Sequence, residues 1–288
     1  KQYFPRYDAV VLYKLDLPAR LPKAWAALQA LEGKIDEHAM IAMNARAELQ
    51  GVRFDTIARD FLAGATKDGK TPPSAARGFT AKLFGPDLWP LARQHLLLVA
   101  VSVGVAILIG VPLAILVFPH LRLRAVVLGF ASVMQTVPSL ALLAVLISLL
   151  GAIGALPALI ALTLYSLLPI MRNTVTGLAE VPNGLGLAGT ALGMTPPQSL
   201  QLVLLPLALP TLLAGVRTAT AIAIGTATIA AFIGAGGFGE RIVTGLALND
   251  RELLMAGALP AAAMALISEG VFELIEFLMR RSRRAPLA

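Results

Sequence analysis

From His95 onward, apolar positions follow one another with little interruption. The run "HLLLVAVSVGVAILIGVPLAILVFP" (95–119) holds no acidic residue, and similar runs recur at about Ala125–Leu150, Leu156–Met171, Leu207–Ile233 and Leu253–Met279. A helix needs about 20 apolar residues to cross the hydrocarbon of a bilayer. The pattern therefore predicts about five membrane-spanning helices, the third short unless it extends into "GAIGA". Pro112, Pro138, Pro157, Pro169, Pro210 and Pro260 fall inside or beside these runs. Neighbouring helices in a bundle can satisfy the carbonyls that prolines free, and the abundant Gly, Ala, Ser and Thr suit close helix packing.

The pattern before His95 differs. "ALQALEGKIDEHAMIAMNARAEL" alternates apolar and charged residues at helical spacing, with "GKID" as a stop and restart. "DTIARDFLAG" reads as a short amphipathic helix ending on a glycine, and "TKDGKTPPSAARG" as a linker. These helices are too few to close a core alone, so the chain is expected to begin inside a larger domain. The expected organisation is 1–66 as part of one domain, 67–93 as linker and pre-membrane segment, and 94–288 as the membrane domain.

Composition sharpens this picture. Hydrophobic residues are 57% of the chain, charged residues 14%, and mean hydropathy is +0.76, well outside the range of soluble domains. There is no cysteine, hence no disulfide and no thiolate metal site. Arginines set the orientation: "PHLRLR", Arg172 and the terminal "RRSRR" fall on one side of the expected bundle. The positive-inside rule puts that side in the cytoplasm. With an odd number of spans, the N-terminal region is then periplasmic and the C-terminus cytoplasmic.

The stretch "GLAGTALGMTPPQSLQLVLLPLALP" (186–210) lies between the third and fourth spans and is broken repeatedly by glycine and proline. "GLAGTALG" predicts a small-residue helix ended by Gly193 in the left-handed cap conformation. "TPPQ" predicts a restart, with Thr195 as N-cap, Pro196 at the first helical position and Gln198 placed for a capping box. Ala188, Gly189 and Gly193 would expose backbone on a knob fit for another protein's groove. An interfacial re-entrant hairpin is the alternative.

At this stretch the sequence resembles the permease subunits of ATP-binding-cassette (ABC) importers, whose cytoplasmic loop follows E-A-A-x3-G-x9-I-x-L-P. Leu187, Ala188 and Gly189, then Gly193, then Val203, Leu205 and Pro206 stand in that register, with Leu187 in the glutamate position and Gly189 in that of the second alanine. In the family this loop docks on the ATPase. Two longer segments, from "MQTVPSLALL" to "MRNTVTGL" and from "LPLALPTLL" to "GERIVTGL", are similar to permeases for glycine betaine, choline and related osmoprotectants. The first 50 residues are similar to the C-terminal end of the matching substrate-binding proteins.

The resemblance implies an all-α membrane protein of the type I ABC importer (MetI-like) fold, preceded by a partial α/β substrate-binding lobe. It implies transport of a quaternary ammonium osmoprotectant by alternating access across the bacterial inner membrane. No cofactor belongs to this chain; ATP and Mg would bind a separate ABC ATPase subunit. The other implied partners are a second permease subunit, in a homodimer or heterodimer, the fused binding domain and the lipid bilayer, with no nucleic acid. A permease for methionine or another small nutrient, or an ion-coupled carrier or channel, are the rival functions.

Other candidates are single residues. Arg217 sits within the fourth span, where a charge is costly unless paired or wet. It reads either as a translocation-path or gate residue or as a structural partner for a carboxylate. Glu269, Glu273 and Glu276 share one face of the last span; Glu269 is the expected partner of Arg217, and Glu276 reads as a solvated rim. Gln135 and Pro138 are further path or gate candidates. Tyr7 is a candidate for cation–π contact with a quaternary ammonium ligand, with core packing as the alternative. "GAGGFG" (234–239) lacks the Gly-Lys-Ser/Thr of a phosphate loop and reads as a helix-breaking turn. The three histidines show no metal-ligand spacing.

Overall fold

A computed structural model describes residues 13, 15–48, 52, 54–64, 78–248 and 250–284. The chain divides into two compact units, Lys1–Ala76 and Arg77–Ala288.

The first unit contributes α1 (Leu17–Arg20), α2 (Pro22–Gln29), α3 (Glu37–Glu48) and α4 (Phe54–Leu62). "GKID" is a stop and restart, as expected: the Asp36 carboxylate accepts the Ala39 N–H at 2.7 Å and caps α3. α4 is tied to α3 by Arg46 and Asp60 at 2.6 Å and buries Ile57. Tyr13 packs on Trp25, with ring centroids 4.3 Å apart. No strand occurs among the described residues, so the α/β character expected for this lobe has no counterpart there. Tyr7 lies outside the described residues.

The second unit is a helical bundle: α5 (Phe79–Leu83), α6 (Leu88–Val117), α7 (Leu121–Thr136), α8 (Ser139–Leu150), α9 (Ala155–Glu180), α10 (Asn183–Ala191), α11 (Pro196–Ser199), α12 (Leu205–Ala230), α13 (Gly239–Ala247) and α14 (Arg251–Arg284). Four stretches are long and apolar enough to cross a bilayer: α6, α9, Pro196–Ile233 and Arg251–Arg281. The second expected span is not continuous. α7 and α8 meet at 102°, because Pro138 forces Val137 out of the helical region, to ψ 130.

The bent pair still returns the chain across the bundle. Ser102 of α6 lies against Thr163 of α9, and Gly110 lies against Leu167, Ile170 and Met171, so α6 and α9 run parallel. The segment joining two parallel neighbours must travel back, which makes α7 and α8 together the return leg. The third span is longer than its apolar run suggested. Arg172 points outward while Thr174, Val175, Gly177 and Leu178 continue the buried stripe to Glu180.

α9 is the centre of the bundle, with half of its most apolar window buried, whereas the corresponding window of α14 is only 6% buried. Its small faces let neighbours come close. Ala219, Ala223 and Ala227 on α12 are fully buried, as is Ala106 on α6. The buried hydroxyls of Ser166 and Thr174 donate to the carbonyls of Leu162 and Ile170, each at 2.8 Å, so neither is left unpaired in the core.

Between α9 and α12 the approach is tightest at Gly215 of α12. A Cβ there would meet the Asn173 Cβ at 2.6 Å and the Pro169 carbonyl oxygen at 2.7 Å, whereas one at Gly104 would meet nothing within 4 Å. Gly215→Val is expected to separate α9 from α12 and lower stability by about 1–3 kcal/mol, while Gly104→Ala leaves it unchanged. Thermal unfolding of the two variants in detergent, read by intrinsic fluorescence, checks the contrast.

Candidate functional site

The interrupted stretch forms a helical hairpin between the long helices α9 and α12. α10 ends as expected, with Gly193 at φ 81. The Gly193 N–H donates to the Thr190 carbonyl at 2.9 Å and the Met194 N–H to the Gly189 carbonyl at 3.0 Å, the paired bonds of a Schellman cap. The chain restarts at Thr195, whose N–H donates to Gln198 Oε1 at 2.8 Å, with Pro196 opening α11. A π-turn over Leu200–Leu204 then leads into α12. Pro206 has no N–H for a regular helical bond and its ring would crowd the carbonyl four residues back; the wider turn accommodates both. Val203, Leu205 and Pro206 thus lie at the junction between hairpin and long helix.

One expectation about this hairpin is corrected. Gly189 does not offer backbone to a partner: it is buried, and a Cβ on it would meet Met194 Sδ at 3.3 Å and Ser199 Oγ at 3.5 Å. Its small size closes α10 on α11. Leu187, Ala188 and Gly193 are exposed.

A second cluster joins α12 to α14. The Arg217 guanidinium donates to Glu269, its expected partner, and also meets Glu273 at 3.4 Å and Glu276 at 3.8 Å. Glu276 is therefore not a solvated rim residue. Its side chain is 24% exposed and also receives Arg280 at 3.5 Å. Spacing alone put these three carboxylates on one face; only the packing turned that face toward Arg217. Beside them, Pro210, Thr211, Ala214, Glu276, Met279 and Arg280 line a cleft of about 280 Å³. Thr211 on its wall donates to Glu180 at the end of α9, at 2.6 Å.

Gln135 and Pro138 sit elsewhere, at the α7–α8 break. Gln135 is half-buried and Pro138 exposed. The break is held by Tyr165, a buried α9 residue whose hydroxyl donates to the Val137 carbonyl at 2.6 Å. Pro138 marked the break in the sequence; nothing marked Tyr165 as its anchor.

The opposite end of the bundle carries a network that sequence reasoning missed. Arg241 is 4% exposed. It donates through Nε and Nη2 to the Asp87 carboxylate, both at 2.9 Å, and through Nη1 to the carbonyls of Leu83 and Ala256, both at 3.0 Å. One guanidinium so fastens α5, α6 and α14 to α13. These hydrogen bonds hold the Asp87 carboxyl below the usual carboxylate range, against the opposing effect of burial. Lys82 Nζ meets Asp250 at 2.7 Å and Glu252 at 3.0 Å, tying α5 to the start of α14. The partners are too distant in sequence for any spacing rule to connect them.

The "GAGGFG" turn packs here as well. Gln94 accepts the Gly237 N–H at 3.1 Å, and a Cβ on Gly237, where φ is 82, would meet His95 Nδ1 at 3.0 Å. His95 is fully buried, with Nε2 3.1 Å from the Ile224 carbonyl. Among the described residues no cluster of His, Asp or Glu could hold a metal ion.

Several helices long and apolar enough to cross a bilayer, with a hairpin inserted between two of them, fit a multi-pass membrane protein. The chain belongs to the family described as the binding-protein-dependent transport system inner membrane component, which matches residues 106–283. It is a permease subunit, not an enzyme, and a multi-pass inner-membrane protein. Residues 1–64 match a second family, the substrate binding domain of ABC-type glycine betaine transport systems.

Among curated relatives, the osmoprotectant import permease protein OsmW of Salmonella typhimurium is 46% identical over 193 residues, covering 66% of this chain and 90% of that protein. The glycine betaine/carnitine/choline transport system permease protein OpuCD of Bacillus subtilis is 45% identical over 184 residues, covering 64% and 80%. Among solved structures, the inward-facing MetNI methionine ABC transporter aligns with a TM-score of 0.60 at 24% identity, over 67% of this chain and 98% of that one. That likeness concerns the fold.

The Arg217 cluster yields a direct test. Arg217→Leu leaves three carboxylates without their shared cation and is expected to destabilise the contact between α12 and α14. Glu269→Gln is expected to be non-additive with it. A double-mutant thermal-stability cycle checks this, and additive effects refute the energetic pairing.

Proposed function

We propose that this chain is the permease of an ATP-driven importer for a quaternary ammonium osmoprotectant such as glycine betaine, choline or carnitine. One observation carries the substrate class. Two separate stretches of one chain, 1–64 and 106–283, match a glycine betaine binding domain and an importer permease, and relatives of the second stretch include osmoprotectant, carnitine and choline permeases. The N-terminal unit would then be the end of a binding domain that delivers ligand to the permease to which it is fused.

In this reading the hairpin around Leu187, Ala188, Gly189 and Gly193 faces the cytoplasm and docks on an ABC ATPase, which holds ATP and Mg. Val203, Leu205 and Pro206 at the π-turn pass its movement into α12. ATP binding closes the ATPases, the hairpins follow, and α12 shifts against α14 at the Arg217–Glu269 contact. Gln135 and Pro138 at the α7–α8 break would line or gate the path. A second permease subunit, identical or related, would cover part of α14, whose Leu266, Ile267, Leu274 and Phe277 are all more than half exposed. If Tyr7 belongs to a ligand cage, it acts within the complete binding domain.

Reconstitution tests the substrate. Proteoliposomes containing this permease with its ATPase and complete binding domain are expected to accumulate labelled glycine betaine or choline only with ATP. Uptake without ATP, or methionine uptake in place of betaine and choline uptake, refutes the proposal.

The orientation is tested separately in the naturally cysteine-free chain. Ile153→Cys, at the exposed turn between α8 and α9, is expected to react with a membrane-impermeant thiol reagent in intact spheroplasts. Gln198→Cys in the hairpin is expected to react only after permeabilisation. The opposite pattern inverts the topology.

A further inference from the structure

Helix α6 keeps one side exposed where it enters the bilayer. Trp89 is 79% exposed, Arg93 and Ala100 are exposed, and Leu96 and Leu97 are each more than half exposed. At 100° per residue, Trp89, Arg93, Leu96 and Ala100 fall within about 60° of one another and form one stripe. The other side, with Leu91, His95, Leu98 and Ser102, is buried. From Leu96 to Val117 the helix is about 33 Å long, which matches the hydrocarbon thickness of a bilayer. Arg93 then stands about 5 Å outside the hydrocarbon, in the headgroup layer, and Trp89 one turn further out.

The chemistry of this stripe selects a ligand. Arg93 makes no ion pair or hydrogen bond with another described residue. Acids at the same end of the bundle are engaged elsewhere: Asp87 with Arg241, and Asp250 and Glu252 with Lys82. An exposed guanidinium at headgroup depth without a carboxylate matches a phosphodiester, which it can bind through two parallel hydrogen bonds. The indole one turn outward offers its face to a cation. A zwitterionic phospholipid carries its groups in the same order, with acyl chains, then phosphate, then ammonium outermost.

We propose that Trp89 and Arg93 bind the headgroup of a zwitterionic phospholipid. Arg93 takes the phosphate, Trp89 takes the ammonium, and an acyl chain lies along Leu96, Leu97 and Ala100. The corner that this lipid seats is already fastened from within, because Arg241 bonds both the Leu83 carbonyl and Asp87. A bound lipid therefore fixes the depth of α5 and α13 together with that of α6. The proposal rests on the placement of α6 in the membrane and holds for either orientation of the chain.

The test uses the full chain, purified in detergent and stripped of lipid. It is titrated with phosphatidylethanolamine, or with phosphatidylglycerol, which keeps the phosphate but has no ammonium. Bound lipid is counted by native mass spectrometry. The wild type is expected to bind phosphatidylethanolamine about fivefold more tightly. Arg93→Gln is expected to weaken both lipids about tenfold, and Trp89→Leu to abolish the preference. Both side chains are exposed, so unchanged thermal unfolding is the control. In a second measurement, Trp25→Phe leaves Trp89 as the sole tryptophan of a chain that has two. In phosphatidylethanolamine nanodiscs, a nitroxide on the lipid headgroup is expected to quench Trp89 more strongly than one deep in the acyl chain or one dissolved in water.

Wild-type retention of both lipids by Arg93→Gln overturns the phosphate contact, and an unchanged preference in Trp89→Leu overturns the ammonium contact. Displacement of the lipid by an equal concentration of soluble glycerophosphoethanolamine shows a headgroup site that needs no membrane, and overturns the lipid assignment. A Trp89 quenched best by the soluble nitroxide faces water, and one quenched by none is covered by another chain. Either result refutes the proposal.

Discussion

The close approach of α9 to its neighbours is the constraint on which the rest of the bundle depends. In hydrocarbon, apolar side chains gain little by leaving lipid for one another, so packing must come from shape. Gly177 and Gly215 allow α9 and α12 to meet backbone to side chain: a Cβ on Gly177 would lie 2.8 Å from the Ala208 carbonyl oxygen. Gly110 does the same for α6 against α9. Once these three helices are set, the direction of the return leg α7–α8 follows from connectivity.

Polar side chains then fasten further elements to this centre. Arg241 binds the short pre-membrane helix α5 and the α6 start to the α13–α14 hairpin. Arg217 links α12 to α14, where small-residue contacts are few and a face of carboxylates needs a cation. Tyr165 pins the bend at Pro138. The two ion-pair networks lie on either side of α14, the long helix least covered by the rest of the chain.

The hairpin is built on a different rule. Its turn is fixed by local bonds alone: the cap at Gly193, the Gln198 bond to Thr195, and the fit of Gly189 under Met194. That local rigidity lets a short excursion between two long helices keep a defined outer face without support from the bundle. The π-turn ahead of Pro206 stands between this knob and the long helix α12.

Much of this was legible in the sequence because its causes are local. Hydropathy marks long helices, since a bilayer demands uninterrupted apolar length. Gly193, Thr195, Pro196 and Gln198 announce the hairpin, since capping acts within a few residues. Even the Arg217–Glu269 pair could be expected from depth, because a charge inside a bundle needs a counter-charge. Tertiary structure decided what depends on partners distant along the chain. It anchored the bend at Pro138 through Tyr165 and prolonged the third span past Arg172. It drew Glu276 out of the solvated rim. It brought Asp87 to Arg241 and Lys82 to Asp250, pairs separated by more than half the chain, whose meeting depends on which helix ends the packing of α9 brings together.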